Sequence, residues 1–185
     1  MKKIIYIVLL FACFTAQAQV KIGGISMPST FKAGESNLVL NGAGVREKYW
    51  IDLYVGGLFL KAKDNDATKI INADENMAIR LHIISSLITS EKMTESVDEG
   101  FKNSLNGNTA PLANKILLFK TYFKEKISDG DIFDLVYEAN KGVTVYKNNK
   151  ALGTITGLDF KKALFGIWLC EKAASSDLKK KLLGN

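Results

Sequence analysis

The sequence predicts an α+β fold in which an antiparallel sheet is covered on one face by a layer of helices. Strand patterns occur in two groups, at 37–83 and at 132–156, and helical periodicity occupies the stretch between them. Because strands and helices do not alternate, a doubly wound parallel sheet is not expected. The chain has only two prolines and no repeat or low-complexity tract, so we expect one domain over 19–185.

The first 18 residues have the three-part layout of a secretory signal peptide. Lys2 and Lys3 form a basic start, 4–12 is apolar, and 16–18 is a small-x-small cleavage site. The apolar run is too short to cross a bilayer, which needs about 20 residues. We therefore expect cleavage after Ala18 and a mature protein that is periplasmic or secreted.

A competing interpretation places a lipoprotein box at 10–13, which would leave Cys13 acylated at a new N-terminus. The bulky Phe11 fits that box poorly, and the small-x-small site lies just beyond it. After cleavage, Cys170 is the sole cysteine of the chain, so no intramolecular disulfide can form. Cys170 lies in an apolar helical stretch, which favours a buried and inert thiol.

The first predicted strands are a short apolar run at 37–41 and a longer aromatic and branched segment at 49–60. Glycines and polar residues fill 42–48 between them, which favours a tight antiparallel connection. The segment 77–83 alternates, with His82 opposite its apolar side chains. This alternation predicts a strand buried on one face.

Two helices are predicted next. The first has an N-cap at Thr89 or Ser90, and its apolar residues recur at every fourth position: Met93, Val97, Phe101 and Leu105. The second begins at a Thr109 cap with Pro111 in its first turn, where the missing N–H costs little. One apolar stripe follows on this helix: Leu112, Ile116, Phe119, Phe123 and Ile127.

Three further strands are predicted at 132–138, 143–147 and 151–156. The connections at 140–142 and 148–149 contain asparagine, which tolerates the positive φ that tight hairpin turns require. These segments therefore extend the antiparallel sheet.

Two helices are predicted to close the chain. Asp159 is expected to cap an apolar helix that runs through Trp168 and Leu169. Ser175 or Ser176 is expected to cap a short final helix, and Gly184 to end it.

Composition and charge argue against several classes of function. The leader takes two of the 25 basic residues and none of the 19 acidic ones, so the mature formal charge is +4. Arginine does not interleave with aromatic residues, and the lysines at 179–181 fit a solvated helix face, so no nucleic-acid partner is expected. No mature segment is long enough to span a membrane.

Common catalytic and metal-binding motifs are missing from the sequence. The mature chain has a single histidine, His82, and a single cysteine, which cannot supply a His/Cys zinc site, and there is no nucleophile elbow. The glycines at 42–44 lack the rest of a dinucleotide fingerprint, and 129–131 lacks the rest of a calcium loop. We therefore expect no metal and no cofactor.

What remains is a set of polar residues in an aromatic strand: Arg46, Asp52 and Tyr54. Arginine supplies a rigid fork of donors suited to a carboxylate, and tyrosine adds a hydroxyl donor. On spacing alone, the pattern favours a surface arginine and a tyrosine on the face of the sheet over a ligand site.

Several blocks of the sequence resemble the chalcone isomerase-like family. Two resemble its N-terminal part, 40–46 (LNGAGVR) and 53–60 (LYVGGLFL). The segment 89–93 (TSEKM) resembles its middle helix, and 163–169 (ALFGIWL) with 176–179 (SDLK) its C-terminal helix pair. The resemblance implies an open-faced β-sandwich, in which a large antiparallel sheet packs on helices with a ligand cleft between them.

The family contains isomerases that close the third ring of a chalcone and non-catalytic relatives that bind fatty acids. Arg46 matches the arginine of the family's G-x-G-x-R motif, which holds anionic ligand groups in both branches. Tyr54 falls where plant isomerases carry threonine and where fatty-acid-binding members are expected to carry tyrosine. The isomerases' helix tyrosine and asparagine correspond to Thr89 and Ser96, and their late threonine falls near Ile167.

Cyclisation needs a phenolate and a developing enolate held by placed donors, and most of those donors are replaced in this chain. The resemblance therefore implies a non-catalytic, exported bacterial member that binds, as a monomer, a fatty acid or similar small amphipathic carboxylate. One alternative is an isomerase or intramolecular lyase acting on a chalcone-like unsaturated ketone. Another is an interaction module whose cleft is filled by its own side chains.

The expected ligand contacts follow from the resemblance. Arg46 would pair with the carboxylate, and Tyr54 would donate a hydrogen bond to it. The acyl tail would lie between the sheet and the helix that carries Met93, Val97 and Phe101. Thr89, at the start of that helix, completes the expected set.

The short connection after Arg46 complicates this arrangement. If the turn is centred on 47–48, Tyr54 lies about five residues along the sheet from Arg46, roughly 17 Å at about 3.4 Å per residue. One carboxylate could not contact both side chains across that distance. Either the turn starts near 42–44, or only one of the two residues anchors the ligand.

Overall fold

The computed structural model describes residues 19–185, so the predicted leader and the Cys13 alternative lie outside the described residues. The strands are β1 (Gln19–Ile22), β2 (Ile25–Pro28), β3 (Thr30–Ala33), β4 (Ser36–Lys48), β5 (Ile51–Leu60), β6 (Met77–Ile83), β7 (Ile132–Glu138), β8 (Gly142–Lys147) and β9 (Lys150–Ile155). The helices are α1 (Ala67–Asn72), α2 (Ser90–Ser104), α3 (Ala113–Thr121), α4 (Leu158–Leu169) and α5 (Ser176–Leu182).

One seven-stranded antiparallel sheet organises the fold. Its strands β3 to β9 are hydrogen-bonded in chain order, whereas β1 and β2 form a separate two-stranded sheet. The helices α1, α2 and α3 lie in the connections on either side of β6, and α4 and α5 follow the last strand. The predicted α+β fold with a large antiparallel sheet is confirmed.

The predicted tight connection over 42–48, with a turn starting near Gly42 and Gly44 as one option, is wrong. Both glycines lie inside β4, which runs without interruption through 36–48. A Cβ on Gly42 would lie 2.0 Å from the carbonyl oxygen of Lys181, and one on Gly44 would lie 2.6 Å from the Lys181 Cδ. The glycines therefore allow α5 to pack closely on the strand, and they do not form a turn.

Apolar residues are buried on both faces of the sheet. The main core lies on the helical side, and its largest members are aromatic: Trp168, Tyr137, Phe101, Phe119, Phe123, Phe133, Phe160 and Phe165. A smaller cluster joins the other face to the β1–β2 hairpin: Met27, Ala33, Leu38, Val55, Phe59, Ala78 and Val136. This second cluster was not predicted, because four-residue strands are too short to show a periodic pattern.

Two predicted N-caps are confirmed. Thr89 Oγ1 accepts a hydrogen bond from the Lys92 N–H at 3.3 Å, at the start of α2. Ser175 Oγ accepts one from the Leu178 N–H at 3.2 Å, at the start of α5. In both helices the side chain satisfies a backbone donor that has no partner within the helix.

Of the other two predicted caps, one is partly right and one is wrong. Thr109 occupies the N-cap position of a short 3₁₀ helix (Ala110–Leu112) that precedes α3, with Pro111 in its first turn, but its side chain makes no capping bond. The N-cap of α4 is Gly157, at a φ of 106°, and Asp159 lies in the first turn of that helix. There the Asp159 carboxylate pairs with Lys115 Nζ at 2.8 Å, and this pairing holds the pKa of Asp159 below its usual value.

The apolar stripe predicted after Thr109 extends beyond its helix. α3 ends at Thr121, whereas Phe123 and Ile127 lie further along the chain. Both side chains are nevertheless buried in the main core. The spacing therefore identified core residues correctly but assigned the last two to the wrong secondary structure.

Replacing Thr89 by Ala is expected to lower the free energy of unfolding by about 1 kcal/mol, because an N–H in the first turn of α2 loses its acceptor. Urea denaturation of the two proteins measures this difference. Ser96→Ala, in the middle of the same helix, is the matched control and is expected to be neutral or slightly stabilising. Equal effects of the two substitutions would contradict the capping role.

Lys161 on α4 caps the C-terminal end of α1 from within the core. Its side chain is fully buried, and its Nζ donates to the carbonyl oxygens of Ile70 at 2.7 Å, Ile71 at 2.9 Å and Ala73 at 2.7 Å. Burial lowers the pKa of this ammonium to about 8. The six-residue helix α1 is therefore fixed to α4 through carbonyls that its own backbone cannot satisfy.

Cys170, at the end of α4, is half-buried. Burial raises the pKa of its thiol, so the thiolate is less populated than in an exposed cysteine. This environment agrees with the prediction of an unreactive thiol, although the side chain is less buried than expected.

Candidate functional site

A cavity of about 590 Å³ lies between the sheet and the helices α2 and α4. Its volume falls within the roughly 300–1,000 Å³ typical of small-molecule sites. Apolar side chains form most of its wall: Leu53, Leu81, Ile88, Met93, Val97, Phe119, Phe123, Leu135 and Ile167. More exposed charged residues complete its rim: Arg46, Lys48, Lys92, Glu95 and Glu99. The cavity is thus an apolar slot with a charged rim, which suits an amphipathic molecule.

The β4–β5 hairpin places Arg46 directly opposite Tyr54. The two residues are Cα partners in the antiparallel register, and a register shift follows between Arg46 and Glu47. Directly opposed residues lie about 4.5–5.5 Å apart, so the expected separation of roughly 17 Å is wrong. Both side chains line the cavity and can reach a single ligand group.

The expected distance between Arg46 and Tyr54 was wrong because the turn lies further along the chain than 47–48. The hairpin turns at Tyr49 and Trp50, which have φ values of 54° and 60°. Two-residue turns with positive φ usually contain asparagine or glycine, so the aromatic pair at 49–50 does not predict a turn. Tyr49 and Trp50 are 78% and 92% exposed, which leaves their rings in solvent beside the rim of the cavity.

Tyr54 has a hydrogen-bond partner inside the cavity wall. The indole N–H of Trp168 donates to Tyr54 Oη at 3.0 Å. Burial raises the pKa of the Tyr54 hydroxyl, although the Trp168 hydrogen bond and the nearby Arg46 charge oppose the rise. The hydroxyl is therefore protonated at neutral pH and can act as a donor.

Arg46 is half-exposed, and its Nη1 donates to the carbonyl oxygen of Glu47 at 3.0 Å. Within residues 19–185, none of the ion pairs involves Arg46. The remaining guanidinium donors can thus serve an anion at the rim. Asp52, the third polar residue of the pattern, is exposed and pairs in register with Glu47, outside the cavity lining.

The expected tail-binding residues occupy three kinds of position. Met93 and Val97 are buried on α2 and line the cavity. Phe101 lies behind the wall, fully buried, with its ring centroid 5.9 Å from that of Phe119. Thr89 is exposed at the N-cap of α2 and does not line the cavity.

The structure also shows where the residues lie that correspond to the isomerases' tyrosine, asparagine and threonine. Ser96 is exposed and lines the cavity on α2, whereas Ile167 contributes a buried alkyl group from α4. A Cβ on Gly100 would lie 2.7 Å from Ile167 Cγ2, so this glycine lets α2 approach α4 closely. Of these three positions, Ser96 alone brings a hydroxyl group to the cavity, whereas Thr89 acts as a helix cap and Ile167 has no polar group.

Trp168 was not predicted to be a site residue. Tyr54 and Trp168 are 114 positions apart, and each lies in an apolar stretch that is typical of core. No local spacing relates them, so only the packing of α4 on the sheet reveals the pair.

Residues 19–185 contain no group of three or more His, Cys, Asp or Glu side chains that could hold a metal ion. Over the same residues, no helix has the length and apolar character needed to cross a bilayer.

Comparison with known proteins identifies the family. None of the curated proteins is detectably similar in sequence. A crystal structure of a fatty-acid binding protein from Arabidopsis thaliana shares the fold, with a TM-score of 0.69 and 19% sequence identity over 86% of this chain and 92% of that chain. The chalcone isomerase-like family model matches residues 19–184. The chain therefore belongs to the chalcone isomerase-like family.

Proposed function

We propose that this protein binds a fatty acid or a similar small amphipathic carboxylate and does not transform it. The observation that carries the proposal is the pairing of Arg46 with Tyr54 at the rim of an apolar cavity. A cationic fork beside a neutral hydroxyl donor suits a carboxylate. The structural neighbour named as a fatty-acid binding protein supports the same ligand class.

The head group would bind at the hairpin. Arg46 would donate two hydrogen bonds to the carboxylate, and Tyr54 would donate a third. Arg46 would make two hydrogen bonds and an ion pair with the carboxylate, whereas Tyr54 would make a single hydrogen bond. Arg46 is therefore expected to contribute more than Tyr54.

The acyl tail would enter the slot between the sheet and α2. Met93 and Val97 would contact it from the helix, and Leu81 and Leu135 from the sheet. Each buried methylene contributes about 0.8 kcal/mol. Phe101 would support this wall from behind, and Thr89 would fix the start of the helix.

Two alternatives are less well supported. The interaction-module hypothesis requires a filled cleft, and the cavity of about 590 Å³ argues against it. The isomerase hypothesis requires placed donors at positions now occupied by Thr89, Ser96 and Ile167.

Because the cavity is complete within one chain, we also propose that the protein acts as a monomer.

We further propose that the protein is exported and works in the periplasm or outside the cell. The composition of residues 1–18 supports export.

Isothermal titration calorimetry with palmitate, together with native mass spectrometry of the purified mature protein, tests the binding proposal. Arg46→Ala is expected to weaken palmitate binding about 10- to 100-fold, and Tyr54→Phe about three- to tenfold. Lys61→Ala is the matched control, because this exposed lysine lies just past the end of β5 and outside the cavity lining.

The proposal fails if no acyl ligand co-purifies and palmitate neither binds nor raises the melting temperature. It also fails if Arg46→Ala binds palmitate as tightly as the Lys61→Ala control. Turnover of a chalcone that is lost in Arg46→Ala would instead favour the isomerase.

A further inference from the structure

Trp168 and Tyr54 form a polar contact inside a wall that is mostly apolar. The Trp168 side chain is 6% exposed, and its Nε1 lies 3.0 Å from Tyr54 Oη. The two residues come from different layers, because Tyr54 lies on β5 and Trp168 lies on α4. The hydrogen bond therefore joins the sheet to the helical layer at the site itself.

The chemistry of the two groups fixes the direction of this hydrogen bond. An indole nitrogen is only a donor, whereas a phenol has one hydrogen and two lone pairs. Tyr54 must therefore accept from Trp168, and its own hydrogen must point elsewhere. Among the hydrogen bonds within residues 19–185, Tyr54 Oη donates none.

Arg46 reinforces this orientation from the opposite strand. Its guanidinium is also only a donor, and it lies close enough to Tyr54 to oppose the rise in the pKa of the hydroxyl. With donors on two sides, the Tyr54 hydrogen is directed away from both, and Tyr54 lines the cavity in which the ligand would lie.

We propose that Trp168 is a positioning residue that holds the Tyr54 hydroxyl as a donor toward the head group of the ligand. This inference rests on the proposed function and adds Trp168 to the residues that determine which head group binds. The site would thereby favour head groups rich in acceptors, such as carboxylates. Trp168 would act on the head group through Tyr54, so its effect requires the tyrosine hydroxyl.

A double-mutant cycle tests this coupling by calorimetry with palmitate. Trp168→Phe removes the N–H and is expected to weaken binding about five- to tenfold when Tyr54 is present. In the Tyr54→Phe background, the same substitution is expected to change affinity less than about twofold, which measures the effect of the smaller ring alone.

A measurement on the ligand-free protein tests the hydrogen bond independently. The chain has two tryptophans, and Trp50 is 92% exposed, so its indole N–H serves as an internal control. In NMR spectra, Tyr54→Phe is expected to shift the Trp168 indole resonance and speed its exchange with solvent. The Trp50 resonance is expected to stay unchanged.

The outcomes separate this inference from the proposed function. If the unmodified protein does not bind palmitate, the proposed function fails, while the NMR measurement still reports on the hydrogen bond. If palmitate binds but Trp168→Phe weakens binding equally in both backgrounds, the positioning role is wrong. An unchanged Trp168 resonance in Tyr54→Phe would also overturn it.

Discussion

Val97→Trp is expected to weaken palmitate binding by at least about 100-fold, because an indole would fill the slot that receives the acyl tail. Val97 is 7% exposed and lies on the cavity wall of α2. Excluding four to six methylenes at about 0.8 kcal/mol each costs roughly 3–5 kcal/mol of binding free energy. Calorimetry with palmitate measures this loss directly.

The fold should accept this substitution. Inserting bulk into a filled core typically costs 1–3 kcal/mol, but a cavity of about 590 Å³ lies next to Val97 and can receive the ring. Leu117→Trp is the matched control, because Leu117 on α3 is 65% exposed and outside the cavity lining. If the Val97 variant is folded by circular dichroism and binds palmitate normally, the tail does not occupy this slot.

Lys161→Met is expected to lower the free energy of unfolding by about 3–5 kcal/mol. Methionine has a similar length and can fill the same space, but the carbonyls of Ile70, Ile71 and Ala73 lose their shared donor. Each buried acceptor left without a donor costs about 1–3 kcal/mol, and methionine offsets part of the sum because it avoids the cost of burying the lysine charge. Urea denaturation monitored by circular dichroism measures the change.

Lys162→Met is the matched control for this prediction. The neighbouring Lys162 is half-buried and makes none of the side-chain hydrogen bonds or ion pairs within residues 19–185, so its replacement should change stability by less than about 0.5 kcal/mol. If Lys161→Met is as stable as this control, the three carbonyls find other partners and the lysine does not fix α1.

The same lysine makes a prediction about pH. Its pKa falls from 10.5 to about 8 on folding, so between these values the unfolded chain binds more protons than the folded one. The free energy of unfolding should therefore rise with pH across this window, by roughly 1–3 kcal/mol from this group. The difference between the unmodified protein and Lys161→Met isolates this contribution. A difference that stays constant from pH 8 to pH 10 would contradict it.

The central part of the fold could be predicted because its patterns are local. The alternation in 77–83 and the four-residue spacing of α2 each reflect one face of one element meeting the core. The asparagine turns at 140–142 and 148–149 were likewise predictable, and Asn140, Asn148 and Asn149 all have positive φ. The short elements β1, β2, β3 and α1 were missed, since four to six residues cannot show a period.

The candidate site could be predicted only in part. Arg46 and Tyr54 were named from a motif, and both line the cavity. Their separation was wrong, because the hairpin turns on an aromatic pair at 49–50 that ordinary turn chemistry does not suggest. Trp168 was missed because its hydrogen-bond partner lies in another layer of the fold.

The sequence by itself determined which segments become strands or helices over most of the chain, which residues avoid water, and which family the chain resembles. These properties depend on backbone preference and hydrophobic periodicity, which act over a few neighbouring residues. Only the tertiary structure decided that Arg46 faces Tyr54, that Trp168 donates to that tyrosine, and that Lys161 closes α1. Register and layer packing bring together groups that are distant in sequence, and no local pattern encodes the distance between their atoms.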